Sequence, residues 1–82
     1  MTTDDAVLGH INELVDEEHG LMARSKEGEG LSATDHDRLR TVEVQLDQCW
    51  DLLRQRRARW AAGQDPDEAM VRGESTVEHY RQ

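Results

Sequence analysis

Three groups of side chains in this sequence have the types and spacing to do chemistry. Arg54, Arg56, Arg57 and Arg59 fall with Trp50 and Trp60 inside CWDLLRQRRARW, residues 49–60. Guanidiniums contact phosphates and indoles stack on bases, so this stretch could grip nucleic acid. Asp16-Glu17-Glu18-His19 and Asp35-His36-Asp37 supply carboxylates and imidazoles that could hold a divalent cation. Cys49 carries a thiol that could act as a nucleophile.

Each group also has a plainer reading. The chain carries a net charge of −8, with 18 acidic against 10 basic residues, and its whole surface cannot suit a polyanion or an anionic membrane. The four arginines form a short basic island, and paired carboxylates on another helix would satisfy them as well as phosphate would. The acidic clusters contain no His-x-x-x-His or Glu-x-x-His pair on one helix face, so the metal signal is weak. Cys49 has no histidine at a fixed local spacing and sits where a small buried hydrophobe belongs. As the only cysteine, it excludes an internal disulfide and a multi-cysteine zinc site. No phosphate loop or nucleophile elbow occurs. These patterns predict no catalytic residue, no cofactor and no metal.

The elements that would position these residues are helices. The strong breakers are EGEG at 27–30, Gly63, Pro66 and Gly73. Between them the apolar residues recur at helical spacing, and nothing alternates as a strand would. A first helix over about 4–25 opens behind Thr3 or Asp4 and presents Leu8, Ile11, Val15 and Met22, widened by Leu14 and Leu21. A second helix over about 33–62 opens with a capping box at Ser32 and Asp35 and closes at Gly63. Leu39, Val42, Leu46, Cys49, Leu53, Arg56 and Trp60 run along it at alternating spacings of three and four, a heptad seam. Such a helix is roughly 45 Å long at 1.5 Å per residue.

If positions that sum to 57 face each other, Val15 meets Val42, Ile11 meets Leu46 and Leu8 meets Cys49. Both seams then fall into one register, and residues 1–63 read as an antiparallel, coiled-coil-like helical hairpin. Its expected core is Leu8, Ile11, Val15, Leu39, Val42, Leu46 and Cys49. The same register sets Leu53 against Asp4 and Arg56 against Met1, and leaves Trp60 beyond the first helix. The overhang needs a cover, because an isolated helix pair is marginal. Residues 64–82 form a C-terminal tail with an N-cap at Asp65, a proline at the first helical position and a short turn through Met70. That tail could supply part of the cover; beyond Gly73, Val77 and Tyr80 could dock on a neighbour or the segment could fray.

The strings LVDEEHGL (14–21), RLRTVEVQLDQCWDLLRQRRA (38–58), GQDPDEAMVR (63–72) and VEHY (77–80) together resemble a family of short actinobacterial proteins, the domain of unknown function 2630. The resemblance spans nearly the whole chain, and LDQCWDLLRQRRA is its most specific part. It implies a small helical protein and carries over no activity, cofactor or catalytic residue. The chain departs from the family pattern near Gly73, where the family usually has proline in an RP pair, so the resemblance implies no particular tail conformation.

The expectation is therefore an all-α hairpin that dimerises into a four-helix bundle and acts through protein–protein contacts rather than catalysis. Trp50, Leu53, Arg56, Arg57 and Trp60 form the candidate interface, with a second copy or another protein as the partner. Nucleic-acid binding through Arg54–Arg59 is the rival, and a metal or catalytic site at the loop end comes third. MTTDDAVLGH lacks a basic region followed by an apolar run, and no stretch reaches the roughly 20 apolar residues of a membrane span, so a cytoplasmic location is expected.

Overall fold

The computed structural model describes residues 3–24 and 30–79. Helix α1 spans Asp4–Arg24 and helix α2 spans Ala33–Ala61; a 3₁₀ turn at Pro66–Glu68 and a short helix α3 at Glu74–His79 follow. No strand occurs among the described residues. The expected turn at 26–31 lies mostly outside them, as do Met1 and Tyr80. No helix among the described residues is long and apolar enough to cross a membrane.

Local chemistry sets each boundary. Thr3 Oγ1 accepts from the Ala6 amide at 3.0 Å, and Asp4 and Asp5 lie in the first turn, where carboxylates favour the positive end of the helix dipole. Ser32 is the N-cap of α2, its Oγ accepting from the Asp35 amide at 3.1 Å. At the other end Gly63 N–H donates to Trp60 O and Gln64 N–H donates to Arg59 O, the paired bonds of a Schellman motif. That motif needs a left-handed residue, and Gly63 supplies it with φ of 73°.

The two long helices pack antiparallel. Arg24 reaches Asp35, Arg38 reaches Glu17 and Arg56 reaches Asp4, each pair lying within a turn of the expected register. The core comprises Val7, Ile11, Leu14, Val42, Leu46 and Leu53, with Leu8, Val15, Cys49 and Leu52 half-buried against it. Leu21 is buried as well, Leu39 is half-buried and Met22 is exposed. The seam of α1 is thus rotated by one residue from the expected Leu8, Val15 and Met22. It runs Val7, Ile11, Leu14 and Leu21, with Glu18 in the missing step. Both sets keep the alternating three-four spacing of the α2 seam, so the choice between them is made by packing rather than by period.

The overhang is the larger correction. Leu53 is only 1% exposed, buried within its own chain. It joins the core cluster with Val7, Ile11 and Leu14 of α1, while the chain reverses at Gly63 and returns along α2 to engage Arg56. Arg59 pairs with Glu68, Gln55 Nε2 donates to Met70 O at 2.8 Å, Gln48 Nε2 donates to Arg72 O at 3.2 Å, and Arg40 pairs with Glu74. Partners on α2 move back toward its start as the tail advances, so residues 65–74 form a strap antiparallel to α2. It ends in α3, which packs on α2 and buries Val77.

Candidate functional site

The arginine–tryptophan stretch divides into an inward and an outward set. Arg56 points inward and is 8% exposed. Its Nε donates to Asp4 Oδ1 at 2.7 Å, and its Nη1 donates to Asp67 Oδ1 at 3.0 Å and to Pro66 O at 3.2 Å. One guanidinium thus ties together the start of α1, the end of α2 and the 3₁₀ turn. The two carboxylates hold its proton more tightly than usual, against the opposing effect of desolvation. Leu53 and Arg56 were expected in an intermolecular interface; burial removes both from the surface, because α1 and the strap cover them.

Trp50, Arg57 and Trp60 point outward. Trp60 is 77% exposed and borders a recess of about 330 Å³ shared with Asp4, Arg56, Arg57 and Pro66. Trp50 is 43% exposed. Arg59 meets Glu68 at 3.4 Å, and Arg54 lies 4.0 Å from Asp51 with most of its side chain in water.

A polar seam that the apolar pattern conceals holds the strap. Asp51 is 3% exposed, and its Oδ2 accepts from Gln55 Nε2 at 2.8 Å and lies 3.2 Å from Arg72 Nε. Gln48, Asp51 and Gln55 recur at spacings of three and four, the same signature that marks the apolar seam. Burying that carboxylate is tolerable because both neighbours donate to it.

At the loop end the candidate metal ligands are committed elsewhere or apart. Glu17 forms a two-pronged pair with Arg38, one arm at 2.6 Å, and the hydrogen bonds hold its carboxyl below the ordinary value of 4.5. Asp35 pairs with Arg24 at 3.3 Å, while His19 and His36 are exposed. Among the described residues no three His, Cys, Asp or Glu side chains stand close enough to hold an ion.

Cys49 lines a groove of about 430 Å³ between α1, α2 and the strap, with Ala6, Val7, Leu52 and Val71. His10, Gln45 and Gln48 complete its lining. Partial burial pushes the thiol pKa up, which keeps it protonated and a poor nucleophile. Val71 and its neighbour Met70 are the residues here that sequence reasoning missed as surface features; they are 61% and 74% exposed. Their signal was weak, two apolar residues between a proline turn and a glycine.

A family model described as a protein of unknown function, DUF2630, matches residues 3–82. Uncharacterised proteins of Mycobacterium bovis and Mycobacterium tuberculosis are 49% identical over 78 residues, covering 95% of this chain and 90% of theirs. No solved structure matches the chain.

Proposed function

This chain belongs to that family of proteins of unknown function, and we propose that it works through protein–protein contacts, beginning with a second copy of itself. One observation carries the reading. Leu53 is buried in the core and the strap engages Arg56, yet four of the five large hydrophobic side chains exposed among the described residues lie on the C-terminal half of α2 and on the strap: Trp50, Trp60, Met70 and Val71. Exposed aromatic and aliphatic side chains on a small, highly charged chain supply the apolar area that an association surface buries. Two such hairpins side by side give a four-helix, non-catalytic scaffold, and in the recess beside Trp60 the charged groups Asp4 and Arg56 are already paired with each other. Sedimentation of the wild type at micromolar concentration tests the reading, with a dimer expected. A compact monomer of 9.4 kDa overturns it.

A second reading has its own support. Trp50, Arg54 and Arg57 recur at spacings of four and three on one exposed flank of α2, and Arg57 makes no ion pair among the described residues. A basic, aromatic flank suits single-stranded nucleic acid. The −8 charge opposes it. Binding to a polynucleotide that weakens steeply with added salt would establish this reading instead.

A further inference from the structure

We infer that the groove between α1 and the strap is the seat of a two-fold contact, in which Val71 of each copy enters the groove of the other. This rests on the proposed self-association and assigns it a surface different from the arginine–tryptophan stretch.

Two copies of a −8 chain repel each other. At physiological ionic strength the repulsion is screened within about 8 Å, so what decides a close approach is the charge of the surfaces that meet. Charged residues make up 34% of this chain, yet none of the residues lining the groove is Asp, Glu, Lys or Arg. Contact there desolvates no ion.

Shape comes next. Taking about 100° per residue along α2, Val42, Leu46 and Leu53 face α1, while Gln48, Asp51 and Gln55 face the strap. Gln45, Cys49 and Leu52 lie between them and form the groove floor. The strap wall cannot collapse into this groove, because Gln55 and Gln48 hold the carbonyls of Met70 and Arg72 against α2. Val71 therefore stands between two anchored residues, lining the groove while remaining 61% exposed. A projection and a recess thus adjoin on one patch of one molecule.

That adjacency fixes the symmetry. A patch that carries both projection and recess is self-complementary about a two-fold axis, and such a contact closes at a dimer. The alternative brings Arg54 and Arg57 against the acidic face of α1, which joins two different patches. A two-fold would close that contact as well, so symmetry does not separate the two surfaces and the energy of the contact does. Exposed ion pairs would also contribute little to it.

The test is a complementation by charge. Val71→Asp and Ala6→Lys each place one ion in an apolar contact and should each weaken the wild-type dimer by about tenfold or more in sedimentation equilibrium. Mixed in equal amounts, they should form a heterodimer, because Asp at 71 then meets Lys at 6. Trp60→Ala should leave the dimer intact. Circular dichroism checks that each variant keeps its helix. Cys49 gives a readout that needs no variant: its alkylation in the wild type should slow as concentration rises through the dimer midpoint. A wild-type monomer overturns both this inference and the proposed self-association. A wild-type dimer that tolerates Val71→Asp, or whose two variants fail to complement, overturns the groove and leaves self-association standing. So does a dimer whose Cys49 reacts at a rate independent of concentration.

Discussion

Arg56 Nε stands 2.7 Å from Asp4 Oδ1, joining residues 52 apart in sequence and closing the open end of the hairpin. The bond matters because the same guanidinium also takes Asp67 and the Pro66 carbonyl. The arginine is buried while its carboxylate partners stay partly wet, at 48% and 39% side-chain exposure. The wet partners can rehydrate if the arginine is lost, which limits the penalty of breaking the cluster.

Arg56→Ala should accordingly lower unfolding free energy by about 1–3 kcal/mol, less than for a fully enclosed ion pair. Arg56→Lys should recover only part, since an ammonium lacks the planar fork that serves three acceptors in different directions. Urea denaturation of the three proteins checks both statements. A lysine variant equal to wild type would mean that charge alone, rather than the fork, holds the end together.

How much of this was legible in the sequence depends on what carried each feature. The α2 seam could be read because Leu39, Val42, Leu46, Cys49 and Leu53 hold one alternating three-four spacing, and the off-seam Val44, Trp50 and Leu52 sustain no such run. The α1 seam could not be placed to the residue. Val7-Leu8, Leu14-Val15 and Leu21-Met22 are adjacent apolar pairs, and periodicity cannot choose between neighbours that differ by one position. The strap escaped because side chain–backbone hydrogen bonds from Gln48 and Gln55 and the buried Asp51 hold it, and hydrophobic periodicity does not report such contacts. The sequence offers residues 64–82 only as a partial cover for the overhang, so Leu53 and Arg56 read as an interface.

Glycines in this chain should respond to alanine with opposite signs. Gly9 and Gly20 lie inside α1, and a Cβ at either would meet nothing within 4 Å. Gly9→Ala and Gly20→Ala should each stabilise by about 0.5–1 kcal/mol through helix propensity and lost unfolded-state freedom. Gly63 has equal space, but its φ of 73° is left-handed. Gly63→Ala should cost about 1–2 kcal/mol there. Thermal melts of the three single variants check the pattern, which fails if all three shift Tm the same way.

Glu17 gives a pH-dependent prediction whose sign follows from its lowered pKa. The Arg38 hydrogen bond holds the folded carboxyl below its ordinary value of 4.5. Unfolding therefore takes up protons in that range, and the pair's contribution is present above 4.5 and lost as pH falls through the folded pKa. Glu17→Gln should be less stable than wild type near neutral pH, and the gap should close in acid. Because both side chains are substantially exposed, the gap is small and should shrink with added salt. Paired urea titrations across the acid range measure it. A gap that widens as pH falls would contradict the assignment of Arg38 as the cause.

Leu53 and Trp60 make the sharpest comparison, since the hairpin register alone leaves both on the overhang and the strap separates them. Leu53 is 1% exposed inside the core, whereas Trp60 is 77% exposed. Leu53→Ala removes atoms packed in the core cluster with Val7, Ile11 and Leu14 of α1, and should cost about 2–5 kcal/mol. In a domain whose total stability is of order 5–15 kcal/mol, that is a large share, and loss of cooperative unfolding is the expected extreme. Trp60→Ala removes a side chain that is mostly in water, and should change monomer stability by no more than about 0.5 kcal/mol despite deleting the larger residue. Denaturation at concentrations low enough to keep the chain monomeric isolates the intrachain contribution. If Trp60→Ala proved the more damaging, the end of α2 would be packed on its aromatic side and the strap would not be what covers it.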